Sequence, residues 1–274
     1  MRTPLPLRVA RATQYLPAFR GLSKLLSVYR RILPDGSRYR VDDFDGSLKL
    51  DVNVCDTIGI NIWHTPRLFE KQEREIFCSA IREGTVVLDV GANIGIYTLL
   101  AAKRGARVFS IEADPDNARD LRRHVEINGF ADRVTVFEMA ATDRAQTLKL
   151  YRSPRNSGGS TLFGSNHGLA EVSVEGRTID SLNLPPIDVC KMDVEGAEPV
   201  ALKGMGDTLA RSPKLKLLIE WNTDSQSQFL EAGGVSQNLL SLLRSHFSSI
   251  EVVEGSKLAQ EESPPAFCNL WAQT

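Results

Sequence analysis

The sequence has few cysteines and histidines, no long apolar runs and little net charge. Four cysteines, Cys55, Cys78, Cys190 and Cys268, are spread over 274 residues. None lies at metal-clip spacing from another, and so few in so long a chain exclude a disulfide framework. They read as reduced and mostly buried thiols, which suits a cytoplasmic setting. A membrane-spanning helix needs roughly 20 consecutive apolar residues, and no such run exists. The longest uncharged stretch, Asn156 to Ala170, is polar and rich in Gly and Ser. The formal net charge of −1 leaves no overall field that would select nucleic acid. An amide-recognition motif of the N-P-P-Y kind is also missing, which disfavours N-methylation of protein or RNA.

What is present is the balance of a soluble globular chain, 42% hydrophobic and 24% charged. The charge is uneven only at the front. No acidic residue precedes Asp35, while Arg2, Arg8, Arg11, Arg20, Lys24, Arg30 and Arg31 do. Phe19, Leu22, Leu25, Leu26, Tyr29, Ile32 and Leu33 recur at helical spacing, so residues 1–34 read as an amphipathic basic helix. Three roles suit it: a surface helix on the main domain, a peripheral membrane contact, or an organelle transit segment. A secretory signal is excluded by the lack of a continuous apolar core.

Tyr39–Val41 and Leu48–Leu50 flank Asp45-Gly46 and predict a β-hairpin. Residues 1–66 are therefore expected to form a helix/hairpin extension, and residues 67–274 the main domain. A helix is expected from Leu68 to Ile81, ended by Gly84. From there strands and helices alternate: strands near Val86–Leu88, Arg107–Ile111, Val134–Phe137, Ile187–Met192 and Leu215–Trp221, with helices near Ile94–Lys103, Pro115–Asn128, beyond Ala197, and within Gln226–His246. Such alternation implies βαβ units and a parallel sheet, an α/β fold. Shorter strands are expected at Thr147–Tyr151 and Glu171–Val174, and two more at Ile250–Val253 and Phe267–Trp271.

The sharpest local pattern is Val86-Val87-Leu88-Asp89-Val90-Gly91-Ala92-Asn93-Ile94-Gly95. An apolar strand ends in an acid, a small-residue turn follows, and a helix begins. Gly91 would let a ligand approach the backbone, and the helix start would present unpaired N–H groups. A dinucleotide fingerprint needs G-x-G-x-x-G, but Asn93 stands at its second glycine. A carboxylate at Asp89 would also repel a diphosphate, whereas it suits a cationic amino group. One strand further on, Val108-Phe109-Ser110-Ile111 ends in Glu112, placed to accept both hydroxyls of a ribose. Met139 and Ala140, after the next strand, would wall the adenine side of a nucleoside.

A second acidic cluster follows the strand Ile187-Asp188-Val189-Cys190-Lys191-Met192-Asp193, with Glu195 in the turn and Glu198 in the first helical turn. Glu198 alone would simply favour a helix dipole. Crowded carboxylates at one strand end ask for a balancing cation: Lys191, a bound sulfonium or a metal ion. Crowding also raises a carboxylate's pKa and makes it a better proton acceptor.

The stretches Val86–Ala102, Ile111–Gly129 and Lys191-Met192-Asp193-Val194-Glu195-Gly196-Ala197-Glu198 resemble the FkbM family of S-adenosylmethionine-dependent methyltransferases. The likeness runs from about Val41 to Glu220, and its last motif is the more particular one. It implies a class I methyltransferase (Rossmann-like) fold: a mostly parallel seven-stranded sheet with helices on both faces. It also implies O-methylation of a hydroxyl on a sugar, polyketide or other small natural product. Cofactor-binding residues are then Asp89, Gly91, Ala92, Asn93, Gly95, Glu112, Met139 and Ala140. Asp193 and Glu195 are the candidates for removing the hydroxyl proton, and a divalent metal is left open. Among the histidines, His124 reads as solvated beside Arg122 and Arg123. His64 and His167 remain candidates for the cleft, His167 within the loop Pro154–Gly168. That loop is expected to close over the acceptor through Ser160, Phe163 or His167. The competing readings are an NAD-dependent oxidoreductase and a non-catalytic nucleoside-binding module.

Overall fold

A computed structural model describes residues 36–153, 155–162, 170–224, 227, 239–253, 258 and 262–274. The basic segment 1–34, Phe163, His167 and residues 228–238 of the stretch expected to hold a helix lie outside these residues. The chain divides into two compact units, Met1–Lys71 with Pro154–Gly158, and Gln72–Ser153 with Gly159–Thr274.

In the described part of the smaller unit, β1 (Arg38–Phe44) and β2 (Leu48–Asn53) pair antiparallel. Asp45 and Gly46 turn the chain with φ of 47° and 84°, as the Asp-Gly signal requires. Val41, Phe44, Leu48, Leu50 and Val52 form its buried face. An unanticipated helix, α1 (Thr57–His64), follows. Asp56 caps it, accepting from the N–H groups of Ile58 and Gly59 and from Ser157. His64 is fully buried within this helix.

The larger unit begins with α2 (Lys71–Ser79), shorter than the sequence suggested. Then β3 (Val86–Val90), α3 (Ile96–Lys103), β4 (Arg107–Glu112), α4 (Pro115–Ile127) and β5 (Val134–Glu138) follow the expected alternation. After β6 (Ala140–Ala141), β7 (Gln146–Arg152) and β8 (Ala170–Arg177) come β9 (Val189–Met192), α5 (Glu198–Lys203) and α6 (Gly206–Arg211). β10 (Lys216–Asn222), α7 (Leu239–His246), β11 (Ser249–Val252) and β12 (Phe267–Gln273) complete it. The main sheet has seven strands in the order β11-β12-β10-β9-β3-β4-β5. All pairings from β5 to β10 are parallel, and only β12 runs against its neighbours. A separate sheet, β6-β8-β7, carries the excursion after β5.

β3, β4 and β9 are buried almost throughout because both of their faces are covered, as in parallel sheets generally. Leu88, Val90, Ile111, Cys190, Met192, Leu217 and Ile219 join one core. Of the four thiols only Cys190 is fully buried; the others are partly exposed, so the expectation of mostly buried cysteines fails. Among the described residues no helix is long and apolar enough to cross a membrane.

Candidate active site

The strand order reverses direction between β3 and β9, which pair in parallel from Val87↔Val189 to Val90↔Met192. Open α/β sheets bind ligands beyond the carboxyl ends of strands at such a switch point. Both sequence motifs leave the sheet there, side by side.

The loop after β3 is tied inward. The N–H groups of Gly91 and Ala92 both donate to the carbonyl of Ile111, and that of Gly95 donates to Ala92. The Asn93 N–H donates to Glu112 Oε2 at 2.7 Å. These loop donors are engaged within the protein, while Gly95 starts α3 without a side-chain cap. Gly91 has a different reason from the one expected. With φ +78°, a Cβ there would lie 1.8 Å from the carbonyl oxygen of Asp193. The glycine lets the two loops touch; it does not keep space clear for a ligand. Gly95, at φ +96°, likewise admits Leu121 of α4. Asn93 takes a left-handed φ of 51°, and its Oδ1 is buried without a hydrogen-bond partner.

His124 is fully buried, not solvated, and its Nδ1 lies 2.7 Å from the Ile94 carbonyl. A carbonyl only accepts, so this nitrogen carries the proton and pins the end of the loop.

The two carboxylates expected to hold the cofactor differ. Asp89 is 1% exposed, lies behind the loop, and accepts from Thr98 Oγ1 at 2.6 Å. Thr98 Oγ1 lies 2.7 Å from Ser110 Oγ. Burial pushes the Asp89 carboxyl up to about 6, against the opposing pull of Thr98 and Lys191. Glu112 accepts one N–H on each oxygen, from Asn93 and from Asp114 at 2.8 Å. The Asn117 side chain adds a further hydrogen bond to this carboxylate. Burial raises this carboxyl to about 7, although those N–H groups favour its charge. Met139 and Ala140 are each 3% exposed. Met139 N–H donates to the Glu112 carbonyl, and Ala140 packs beside Ala113.

The loop after β9 gathers more charge. Lys191, 4% exposed, reaches Asp193 Oδ2 at 2.9 Å and sits 5.3 Å from the ring centre of Tyr97. Glu195 has a left-handed φ of 52° and Gly196 one of 97°, so the turn is tight and costs strain at the glutamate. Glu198 is more than a helix-dipole residue. Its Oε1 accepts from the N–H groups of Val194 at 2.9 Å and Gly196 at 3.4 Å, closing the turn. Thr161 donates to the Glu195 carbonyl at 3.1 Å, which ties the described end of the Gly/Ser loop to this turn.

Glu220 on β10 was not anticipated. The register Ile219↔Met192 sets it beside Asp193. It is 8% exposed, and its Oε2 is buried with no hydrogen-bond partner. One oxygen from each of Asp193, Glu198 and Glu220 lies within 4.8 Å of the others. Burial first, then the neighbouring acids, raises Glu195 to about 8 and Glu220 to about 9, with Glu198 at about 7.

The sheet order and the paired acidic loops at its switch point define a class I methyltransferase fold. The methyltransferase FkbM domain matches residues 89–246. The chain belongs to that family. Among relatives, it is 31% identical to the 2-O-methyltransferase NoeI of Sinorhizobium fredii over 166 residues, 52% of this chain and 66% of that protein. It is 30% identical to an arginine N(omega)-methyltransferase of Streptomyces achromogenes over 104 residues, 35% of this chain and 29% of that protein. The matched part is thus under two thirds of either relative. A SAM dependent methyltransferase from Aquifex aeolicus aligns over 76% of this chain and 92% of its own, at 17% identity and a TM-score of 0.43.

Proposed function

We propose that the protein O-methylates a hydroxyl group of a sugar or similar small molecule, using S-adenosylmethionine. The observation that carries this reading is the juxtaposition at Gly91: the nucleoside-type loop and the acidic turn meet at backbone contact. When bound, the cofactor supplies an electrophilic methyl group on a sulfonium. The residues present fit it. Glu112 is a carboxylate acceptor at the end of β4 for a ribose hydroxyl, and Asn93 Oδ1 is a buried acceptor without a donor. Asp89, buried and held by Thr98, serves as a counter-charge behind the loop and not as a direct ligand.

On the acceptor side, Lys191 fixes Asp193, which faces the acceptor's hydroxyl. Glu195 takes its proton at the carboxylate, because a base raised to about 8 is matched to neutral working pH. The relative NoeI, a 2-O-methyltransferase, supports an oxygen acceptor. The surplus of acid around Lys191 favours a second reading, a cationic acceptor such as a guanidinium, in line with the arginine-methylating relative. Methyl-labelled cofactor, incubated with a panel of glycosides and a guanidinium compound, separates the two by mass spectrometry. A labelled methyl ether is expected. A labelled methylguanidine would replace the first reading by the second, and no labelled product would sink both. Glu195→Gln should lower kcat by about 10²–10⁴-fold with KM nearly unchanged.

A further inference from the structure

Asp193, Glu198 and Glu220 come from three different elements, the end of β9, the start of α5 and the middle of β10. Sequence proximity groups Asp193 with Glu198, and the β9–β10 register adds Glu220. Their nearest oxygens fall within 4.8 Å of one another, close enough for one cation to bridge the three. Two of the three already have hydrogen-bond partners that fix their orientation. Asp193 is held through Oδ2 by Lys191, and Glu198 through Oε1 by the turn. Each keeps its second oxygen for another partner. Glu220 differs: its Oε2 is buried and has no hydrogen-bond partner, in a residue only 8% exposed. A buried carboxylate oxygen left so is costly, and it belongs to a carboxylate grouped with the other two. The lysine paired in this cluster, Lys191, brings one positive charge against four acids once Glu195 is counted.

We propose that Asp193, Glu198 and Glu220 bind a divalent cation with hard oxygen preference, Mg²⁺ or Mn²⁺. An all-carboxylate donor set selects such ions over zinc or copper. The cation completes the coordination of Glu220 and offsets the charge that Lys191 leaves. Its binding does not depend on the methyl-transfer reading. Its role does: resting on that reading, the cation presents open positions to the acceptor's hydroxyl oxygen and lowers that hydroxyl's pKa beside Glu195.

The test is a titration of the whole chain with Mn²⁺, read by electron paramagnetic resonance without cofactor or acceptor. One saturable site is expected, displaced by Mg²⁺. Glu220→Gln should weaken it by more than about tenfold. Asp193→Asn, at a half-exposed position, should do the same and guards against a folding effect at Glu220. Glu138→Gln, a surface acid paired with Arg122, should leave it intact. Mn²⁺ should also raise the melting temperature of the wild type but not of Glu220→Gln. Lack of a saturable site at millimolar Mn²⁺, or one that survives both cluster substitutions, overturns the proposal. A protein that binds Mn²⁺ but methylates nothing keeps the cation site and loses only the proposed function.

Discussion

The loops after β3 and β9 leave neighbouring parallel strands at the same edge of the sheet, yet they are finished to different degrees. In the first, Glu112 has an N–H on each oxygen, Asp89 has Thr98, and the loop's own N–H groups are spent on Ile111. In the second, four acids share Lys191, and Glu220 has a buried oxygen with no partner. The first is built before any ligand arrives, so its contribution is positioning. The second crowds more carboxyls than Lys191 can balance in ionised form, so they hold protons until something positive takes their place. A division between a rigid cofactor side and an adaptable acceptor side follows from that contrast.

The contact at Gly91 is where both loops can be broken at once. Gly91→Ala forces a Cβ into the Asp193 carbonyl and places a non-glycine residue at φ +78°. The left-handed backbone and the overpacking together should cost about 2–5 kcal/mol. A drop in melting temperature of order 10 °C is expected for a unit of this size, by calorimetry or circular dichroism. If Gly91→Ala melts like wild type but no longer binds S-adenosylmethionine, the glycine guards ligand space after all, and the two loops are less dependent on one another than the contact implies.

Glu112→Gln sharpens the contrast on the first side alone. Losing a charge-assisted acceptor should weaken cofactor binding by about 1.5–3 kcal/mol, ten- to a hundredfold. The raised carboxyl gives this a pH signature. Hydroxyl donors favour the ionised form, so wild-type affinity should climb between pH 5.5 and 8 as Glu112 passes its value of about 7. Calorimetry in two buffers should show proton release near pH 6.5, lost in the variant. Stability runs the other way. A carboxyl raised from 4.5 to about 7 on folding contributes stability below pH 4.5 that is lost as pH rises through 7. The melting temperature of Glu112→Gln relative to wild type should therefore improve from pH 5 to pH 8. Affinity that is flat over this range would remove Glu112 from the site.

The contrast also tracks what was legible in the sequence. β3, β4, α4 and β9 follow from apolar runs, a capping Asp114-Pro115 pair and strict alternation, all of them local signals. The first loop could be read because its partners lie within one βαβ unit. Glu220 could not, since Ile219-Glu220-Trp221 resembles any strand end; only the register against β9 gives it neighbours. The contact of Gly91 with Asp193 is non-local in the same way. His124 was misread for a different reason. The adjacent arginines suggested solvent, although Ala118, Leu121, His124 and Val125 fall on one buried helical face, a 3.6-residue period visible in the sequence. Helix α1 escaped because eight residues with a central Gly59 give little periodicity, and its cap is completed by Ser157, about a hundred residues away.

The smallest effect expected on affinity concerns Asp89, and it decides how finished the first loop is. Thr98→Val keeps the side-chain shape but removes the hydroxyl that donates to Asp89. A buried acceptor then loses its donor, which should cost about 1–3 kcal/mol of stability and raise the Asp89 carboxyl further above its value of about 6. If Asp89 acts only as a counter-charge behind the loop, Asp89→Asn should resemble Thr98→Val. Both should melt earlier, and both should bind the cofactor within about threefold of wild type, a change under 1 kcal/mol. If Asp89 instead touches the cofactor's amino group, Asp89→Asn should lose at least tenfold in affinity while Thr98→Val loses little. Calorimetric affinities of the two variants, set beside their melting temperatures, separate these outcomes. A buried 1% exposure and a short hydrogen bond to an equally buried threonine favour the first, because a ligand would have to displace Thr98 or open the strand end to reach that carboxylate.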